Sequence, residues 1–341
     1  MPPSSSTNDL PSSPKKPLPP LDLIQLTPSG LFCPPGDFYI DAFKPVKLNL
    51  VTHGHADHAR YGSSHYLSSK SSVPLLKHRL GDISIEGMEW GEKRKIGSTW
   101  VSFHPAGHIL GSAQIRIEHE DRVWVFTGDF KRGADSSCEP FEIVKCDTLL
   151  MESTFGLPIY KWNFNPNDIL DWWHSNKEEA SVIFCYSLGK AQRLLSLINT
   201  DETILVHGAI ASIIPLYENA GIKLAKTAPL SDFKKADLKN RLILAPPSAS
   251  GSLWMRRFPE YKSALASGWM AVRGNKRRQG YDKGFVLSDH ADWDELIQTV
   301  KDTDATRIIT THGYSDQLAQ YLCEQGYKAK SLHTPFEGDE L

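Results

Sequence analysis

The segment LNLVTHGHADHARYG, Leu48 to Gly62, sets three histidines and an aspartate within six positions: His53, His55, Asp57 and His58. The whole chain has 13 histidines in 341 residues, so this turn holds a disproportionate share of them. In extended chain, residues two apart point to one face, and His53 and His55 can then share one metal ion. Asp57 and His58 follow as the chain turns and can face a second ion beside the first. Two ions roughly 3.5–4 Å apart are the usual arrangement for metal-assisted hydrolysis. Nitrogen and oxygen ligands without thiolate suit two divalent ions, Zn²⁺ or Mn²⁺.

Three further ligand-type residues lie at predicted strand ends. His108 stands in PAGHILGSA, Asp129 in FTGDF after the apolar run VWVF, and His312 in IITTHG. A sheet scaffold places chemically active side chains in such positions. A carboxylate has two oxygens, so Asp129 can bridge both ions. His108 then completes the first site and His312 the second.

The elements that must carry these residues read as follows. FYIDAF, KLNLVTH, STWVSFHPA, AQIRIEH, RVWVFTGD and DTLLMEST are short, partly alternating apolar runs, which predict a sheet-rich first part. The texture changes after about residue 165. A helix over 167–178, a strand over 182–186, a helix over 189–199 and a strand over 203–206 predict alternating α/β structure with a parallel sheet. Further strands are expected at RLILAPP and GWMAVRG. The closing segment from GFVLSDHADW onward reads as strand, helix, strand, helix, strand, and no internal repeat is seen.

Composition is that of an ordinary globular chain, with 40% hydrophobic, 23% charged and 10% aromatic residues. A net charge of −2 gives no global basic field, so a nucleic-acid partner would rely on local cations and bound metal. No apolar run is long enough for a membrane helix, and no membrane partner is expected. Residues 1–20, rich in Pro and Ser, read as a disordered tail without the apolar core of a secretory signal; Lys15 and Lys16 there serve solubility. Five scattered cysteines fit free thiols and a cytoplasmic location.

HxHxDH, followed by a separate His and then TGD, resembles the metallo-β-lactamase superfamily. The resemblance implies an α/β fold, a four-layer αβ/βα sandwich with metals at one sheet edge. It assigns His53, His55, His108 and Asp129 to one ion and Asp57, His58, Asp129 and His312 to the other. It also implies that Asp41, in YIDAF, supports the ligands.

MESTFG, SDHADW and the long α/β stretch between them narrow the resemblance to the β-CASP branch, in which a nucleic-acid-binding domain is inserted into the lactamase fold. Family motifs A, B and C match Glu152, His290 and His312. The resemblance covers about residues 21–335. It implies a first lactamase part over 21–160, an inserted β-CASP domain over 161–278 and a second lactamase part over 279–341. The compact length, SDHADW and RGNKRRQGYDKGF resemble the bacterial ligase-associated DNA exonucleases more closely still. That family implies DNA cleavage in repair, from a 5′ end, alongside an ATP-dependent DNA ligase and an Lhr-type helicase. A His at motif C is typical of RNA-acting members such as the mRNA 3′-end processing nuclease, so His312 keeps RNA open as a substrate. A small-molecule hydrolase would have no use for the long insert, and an inactive scaffold would have lost ligands that this chain keeps.

The expected catalytic set is Asp57, Asp129, Glu152 and His290. An imidazole can donate a proton near neutral pH, so His290 is the candidate acid, oriented by Glu152. For substrate holding, Ser187, Gly189, Lys190 and Arg193 lie in YSLGKAQRL, where a helix N-terminus would offer N–H groups to a phosphate. An ordinary helix start with a solvated lysine is the plainer alternative. Arg277 and Arg278, with Arg273, Lys276 and Lys283, form a basic run that either tracks a nucleic-acid backbone or is simply solvated. Trp172 and Trp173 could stack bases, but their helical spacing favours the core.

Overall fold

A computed structural model describes residues 22–258, 260–272 and 280–334. The expected N-terminal tail over 1–20 lies outside the described residues. Three six- or seven-stranded sheets account for the strands.

Sheet I orders its strands as they occur in the chain: Gln25–Thr27, Gly30–Cys33, Phe38–Ile40, Leu48–Leu50, His65–Ser69 and Ile85–Met88. Sheet II runs Lys328–Ser331, Arg307–Thr311, Thr148–Glu152, Arg122–Phe126, Ala113–His119, Thr99–Pro105 and Arg94–Ile96. The two sheets pack face to face. Leu31, Ile40 and Leu50 of the first meet Val101, Phe103 and Ile115 of the second in one buried cluster. Alternation makes this possible: in Thr99–Pro105, Val101 and Phe103 face inward while Trp100 is half-exposed.

Helices cover the outer faces. Leu76 of Val73–Leu80 packs on Val51 and Tyr66 outside sheet I. Helices Trp293–Asp302 and Ser315–Glu324 lay Leu296, Val300, Leu318 and Leu322 against Val125, Leu149 and Ile308 outside sheet II. The result is four layers, helix–sheet–sheet–helix. Helix Trp293–Asp302 starts where it does because Asp292 caps it. The Asp292 carboxylate accepts from Glu295 N at 2.9 Å, and Glu295 accepts from Asp292 N at 3.3 Å.

Sheet III is wholly parallel, in the order Thr227–Pro229, Ile204–Val206, Leu242–Ala245, Ala180–Phe184, Tyr261–Ala266 and Lys283–Phe285. Its central strands are apolar on both faces, as a parallel sheet with two covered sides requires. It forms from one continuous stretch of chain lying between Thr148–Glu152 and Arg307–Thr311, which pair as direct neighbours in sheet II.

One strand expectation is corrected. The described part of GWMAVRG, residues 268–272, is no strand: Gly268–Ala271 is a 3₁₀ turn, and the strand is the preceding YKSALA. Ser267 explains the break, its hydroxyl accepting from Trp269 N at 3.3 Å and its carbonyl from Met270 N at 3.1 Å. Trp173 is core as expected, its indole donating to Asn240 O at 3.1 Å, and Trp172 packs on Phe285.

Candidate metal centre and its acid pair

Strands Thr99–Pro105, Arg122–Phe126, Thr148–Glu152 and Arg307–Thr311 all run the same way, so their C-terminal ends share one edge of sheet II. His108, Asp129, Glu152 and His312 sit at or just after those ends. The turn after Leu48–Leu50 brings His53, His55, Asp57 and His58 to the same edge from sheet I.

Local backbone makes this convergence possible at two glycines. Gly128, between Thr127 and Asp129, has φ +56°, and a Cβ there would stand 2.7 Å from Thr52 Cβ. Gly313, after His312, has φ +57°, and a Cβ would stand 2.7 Å from Ser153 O. Only glycine fits either position. His312 itself lies in the left-handed region at φ +62°, held by Ser153 Oγ donating to its carbonyl at 2.6 Å.

Two donor sets share Asp129. In the first, the His55 Nδ1 atom is 3.2 Å from His53 Nε2 and 3.1 Å from His108 Nε2. Asp129 Oδ2 lies 3.5 Å from His53 Nε2 and 3.8 Å from His108 Nε2. In the second, Asp129 Oδ2 is 3.4 Å from His58 Nε2, and Asp129 Oδ1 is 3.9 Å from His312 Nδ1. Asp57 closes this side, 3.5 Å from His58 Nε2. Ligands about 2.0–2.1 Å from a tetrahedral ion stand roughly 3.3 Å apart, which is the spacing seen in the first set.

Tautomers decide whether these nitrogens can bind a cation. The Thr52 hydroxyl donates its one proton to Asp41 Oδ2 at 2.7 Å, so it accepts from His53 Nδ1 at 3.0 Å. Asp41 accepts from His58 Nδ1 at 2.7 Å. The Asp289 carbonyl accepts from His108 Nδ1 at 2.8 Å, and the Leu188 carbonyl from His55 Nε2 at 3.1 Å. In each case the remaining nitrogen is the one that converges on the centre. Such outer partners fix ring orientation and the binding nitrogen.

Electrostatics agree. Burial, with His58 beside it, holds His53 well below the ordinary histidine value, and burial pushes His108 down to about 4; both are neutral and ready to ligate near pH 7. Burial opposes ionisation of Asp129, but His58 and His290 outweigh it and hold its carboxyl well below the usual range. Burial alone would lower His58 too, yet Asp129, Asp57 and Asp41 raise it well above normal, so this pocket favours a cation. Asp129 Oδ1 is buried without a hydrogen-bond partner, a costly state that a bound cation would relieve. The residues therefore fit divalent cations, with Asp129 common to both donor sets.

Beside this centre, His290 Nδ1 lies 2.9 Å from Glu152 Oε2 and 3.1 Å from Oε1, both side chains 1% exposed. Phe130 N donates to Glu152 Oε1 at 2.7 Å, which aims the carboxylate. Burial raises Glu152 above the ordinary carboxylate range, with His290 pulling the other way. The His290 ring is 4.6 Å from that of His108, and Trp162 donates to the His290 carbonyl at 2.8 Å.

The expected phosphate-binding segment needs correction. Ser187 does line an open cavity of about 580 Å³, together with His55, Asp57, Arg79 and Tyr186. Gly189 is buried, and its N–H is taken by Gln192 Oε1 at 2.8 Å. Lys190 is buried, its ammonium 3.1 Å from Asp289 Oδ1 and 4.6 Å from the Tyr186 ring. Arg193 is turned onto Asp135 at 3.1 Å. The helix start is thus plugged and its cations are committed inward. Arg277 and Arg278, with Arg273 and Lys276, lie outside the described residues.

Three participants escaped the sequence reading. Asp289 and Thr52 each adjoin a recognised residue, and that adjacency was the available signal. The Leu188 carbonyl is backbone and carries none.

No family model matches the chain. A solved structure of a protein of unknown function from Enterococcus faecalis aligns over 86% of this chain and 80% of that one, with a TM-score of 0.56 and 13% identity, a likeness of fold. A probable DNA ligase of Opitutus terrae is 34% identical over 314 residues, which are 89% of this chain but 30% of that one. An RNase J-like protein of Methanocaldococcus jannaschii is 26% identical over 243 residues, 57% of each chain. The chain belongs to the β-CASP branch of the metallo-β-lactamase superfamily. In this β-CASP protein the shared-carboxylate centre and the Glu152–His290 pair occupy one sheet edge. It spans 30% and 57% of the length of those two relatives.

Proposed function

We propose that this β-CASP protein is a two-metal nuclease that hydrolyses DNA phosphodiester bonds from a strand end, the 5′ end by family analogy. The observation that carries the reading is two donor sets sharing Asp129 beside a buried Glu152–His290 pair. His53, His55, His108 and Asp129 would hold one divalent ion, and Asp57, His58, Asp129 and His312 the other, Zn²⁺ or Mn²⁺. Bound there, the ions supply Lewis acidity that activates water and neutralises charge on the scissile phosphate.

The chain's own residues do the rest. Water attacks phosphorus in line, and the bond to the 3′- or 5′-oxygen breaks. His290 gives that leaving oxygen its proton, while Glu152 grips Nδ1 and stabilises the imidazolium. Asp41 and Thr52 keep the ligand rings fixed through the reaction. Two cavities adjoin the centre. One is the 580 Å³ cleft at His55 and Asp57; the other, about 490 Å³, joins His312 to Trp269 and Tyr314. Both are of ordinary ligand-site size, and each is lined by ligand-type residues of the centre, His55 and Asp57 in one and His312 in the other. Trp269 and Tyr314 offer aromatic faces for a base.

DNA is favoured because 89% of this chain matches part of a relative named a probable DNA ligase. A place in DNA repair, in the cytoplasm, with a ligase and an Lhr-type helicase as partners, follows from that reading and the family resemblance. RNA is the second reading, supported by the RNase J-like relative and by His312 at motif C. Among the described residues no helix is long and apolar enough to cross a membrane.

End-labelled DNA and RNA of one sequence, each with 5′-phosphate or 5′-hydroxyl, test the proposal with Zn²⁺ or Mn²⁺ added. Stepwise loss of DNA from the 5′ end is expected. Faster cutting of RNA transfers the proposal to the second reading, and no cleavage of either sinks both.

A further inference from the structure

Six consecutive residues of the third sheet's domain touch three separate loops of the metal centre. The Leu188 carbonyl accepts from His55. Lys190 meets Asp289, whose own carbonyl holds His108 and whose next neighbour is His290. Arg193 meets Asp135, in the loop that follows Asp129, and Ser137 braces the same carboxylate at 2.6 Å. Lys190 and Arg193 are three apart and so share one face of helix Lys190–Leu197. The Lys190 and Asp289 side chains are each 2% exposed. Gly189 completes the seat, since a Cβ there would collide with Ile109.

We infer that Leu188–Arg193 is a clamp by which the third sheet sets the ligand geometry of the metal centre, with Lys190 as its principal positioning residue. The inference rests on the proposed two-metal centre. Lys190 acts at a distance: it neutralises Asp289, which seats the 288–290 loop, which orients His108 and His290 together. Removing the ammonium leaves a buried carboxylate unpaired, and the loop must move to hydrate it. Replacing both partners with apolar side chains removes that drive, because a buried ion pair can be exchanged for packed hydrocarbon.

The test compares the full chain with Lys190→Met, Lys190→Arg, Asp289→Leu and the double variant Lys190→Met/Asp289→Leu. Zn²⁺ affinity is read by competition with a chromophoric chelator, and kcat and KM on single-stranded DNA are measured separately. Lys190→Met should bind the tighter Zn²⁺ about 10-fold more weakly, the scale seen for outer partners of metal ligands. Its kcat should fall while KM stays within about twofold. Lys190→Arg and the double variant should return to within about threefold of wild-type affinity.

A Lys190→Met protein with normal Zn²⁺ affinity and raised KM would overturn the clamp and restore a substrate-binding role. If Lys190→Met does not fold, the double variant decides: affinity still down about 10-fold overturns the inference. Zn²⁺ affinity is read without substrate, so a chain that cuts neither DNA nor RNA would sink the nuclease reading and leave the clamp to be judged on its own.

Discussion

Sheets I and II meet in an apolar core and end in an edge crowded with imidazoles and carboxylates. Sheet III is apolar on both faces, and among the described residues it contributes no member to the two donor sets. The first pair makes chemistry from strand ends. The third reaches the same chemistry through contacts that include the Leu188 carbonyl, the buried Lys190 and the partly buried Arg193. A shared scaffold thus separates two tasks: holding charge at one edge, and holding that edge still.

The comparison breaks most decisively at Asp129. Asp129→Ala should take cleavage to background, beyond the roughly 10⁴-fold ceiling for loss of a general acid, and should empty the shared position in metal analysis. Residual activity above that ceiling would deny the bridging role. His290→Ala should slow cleavage by roughly 10²-fold or more while leaving metal content near two per chain. Loss of metal along with rate would make it a ligand.

Asp41→Asn should cost about 10-fold in metal affinity, because it weakens the hold on the His58 tautomer; chelator competition reads this directly. Acid lability sharpens the contrast further. In the metal-free protein, His108 titrates at about 4 against 6.5 when unfolded. Between those values only the unfolded chain takes the proton, so stability falls as pH drops from 6.5 toward 4. His108→Asn should flatten the urea midpoint against pH over that window, and an unaltered slope would place the proton elsewhere. The smallest effect belongs to the third sheet's surface. Lys239, paired with Glu178 in open solvent, should be replaceable by Ala with no measurable change in urea midpoint or metal affinity.

Much of the candidate donor cluster was legible because ligation demands particular side chains at particular strand ends. His53, His55, Asp57 and His58 announce themselves by density, and Asp129 by its place after VWVF. The four-layer fold was legible through resemblance and alternation, while strand ends drifted by a residue or two. GWMAVRG failed because a strand of small residues, YKSALA, carries little periodic signal and a serine cap none. Lys190 failed for another reason. A lysine at a helix start looks the same whether it faces water or a buried aspartate, and only the tertiary structure supplies Asp289. The cavities adjoining the centre are likewise properties of packing.

The hydrogen bond from His55 to the Leu188 carbonyl has one more consequence. It makes metal loading and the seating of the third sheet two faces of one equilibrium. By reciprocity, whatever factor seating adds to the affinity for metal, metal must add to seating. Chelation should therefore loosen helix Lys190–Leu197, a change that hydrogen exchange of its amides would register without any substrate present.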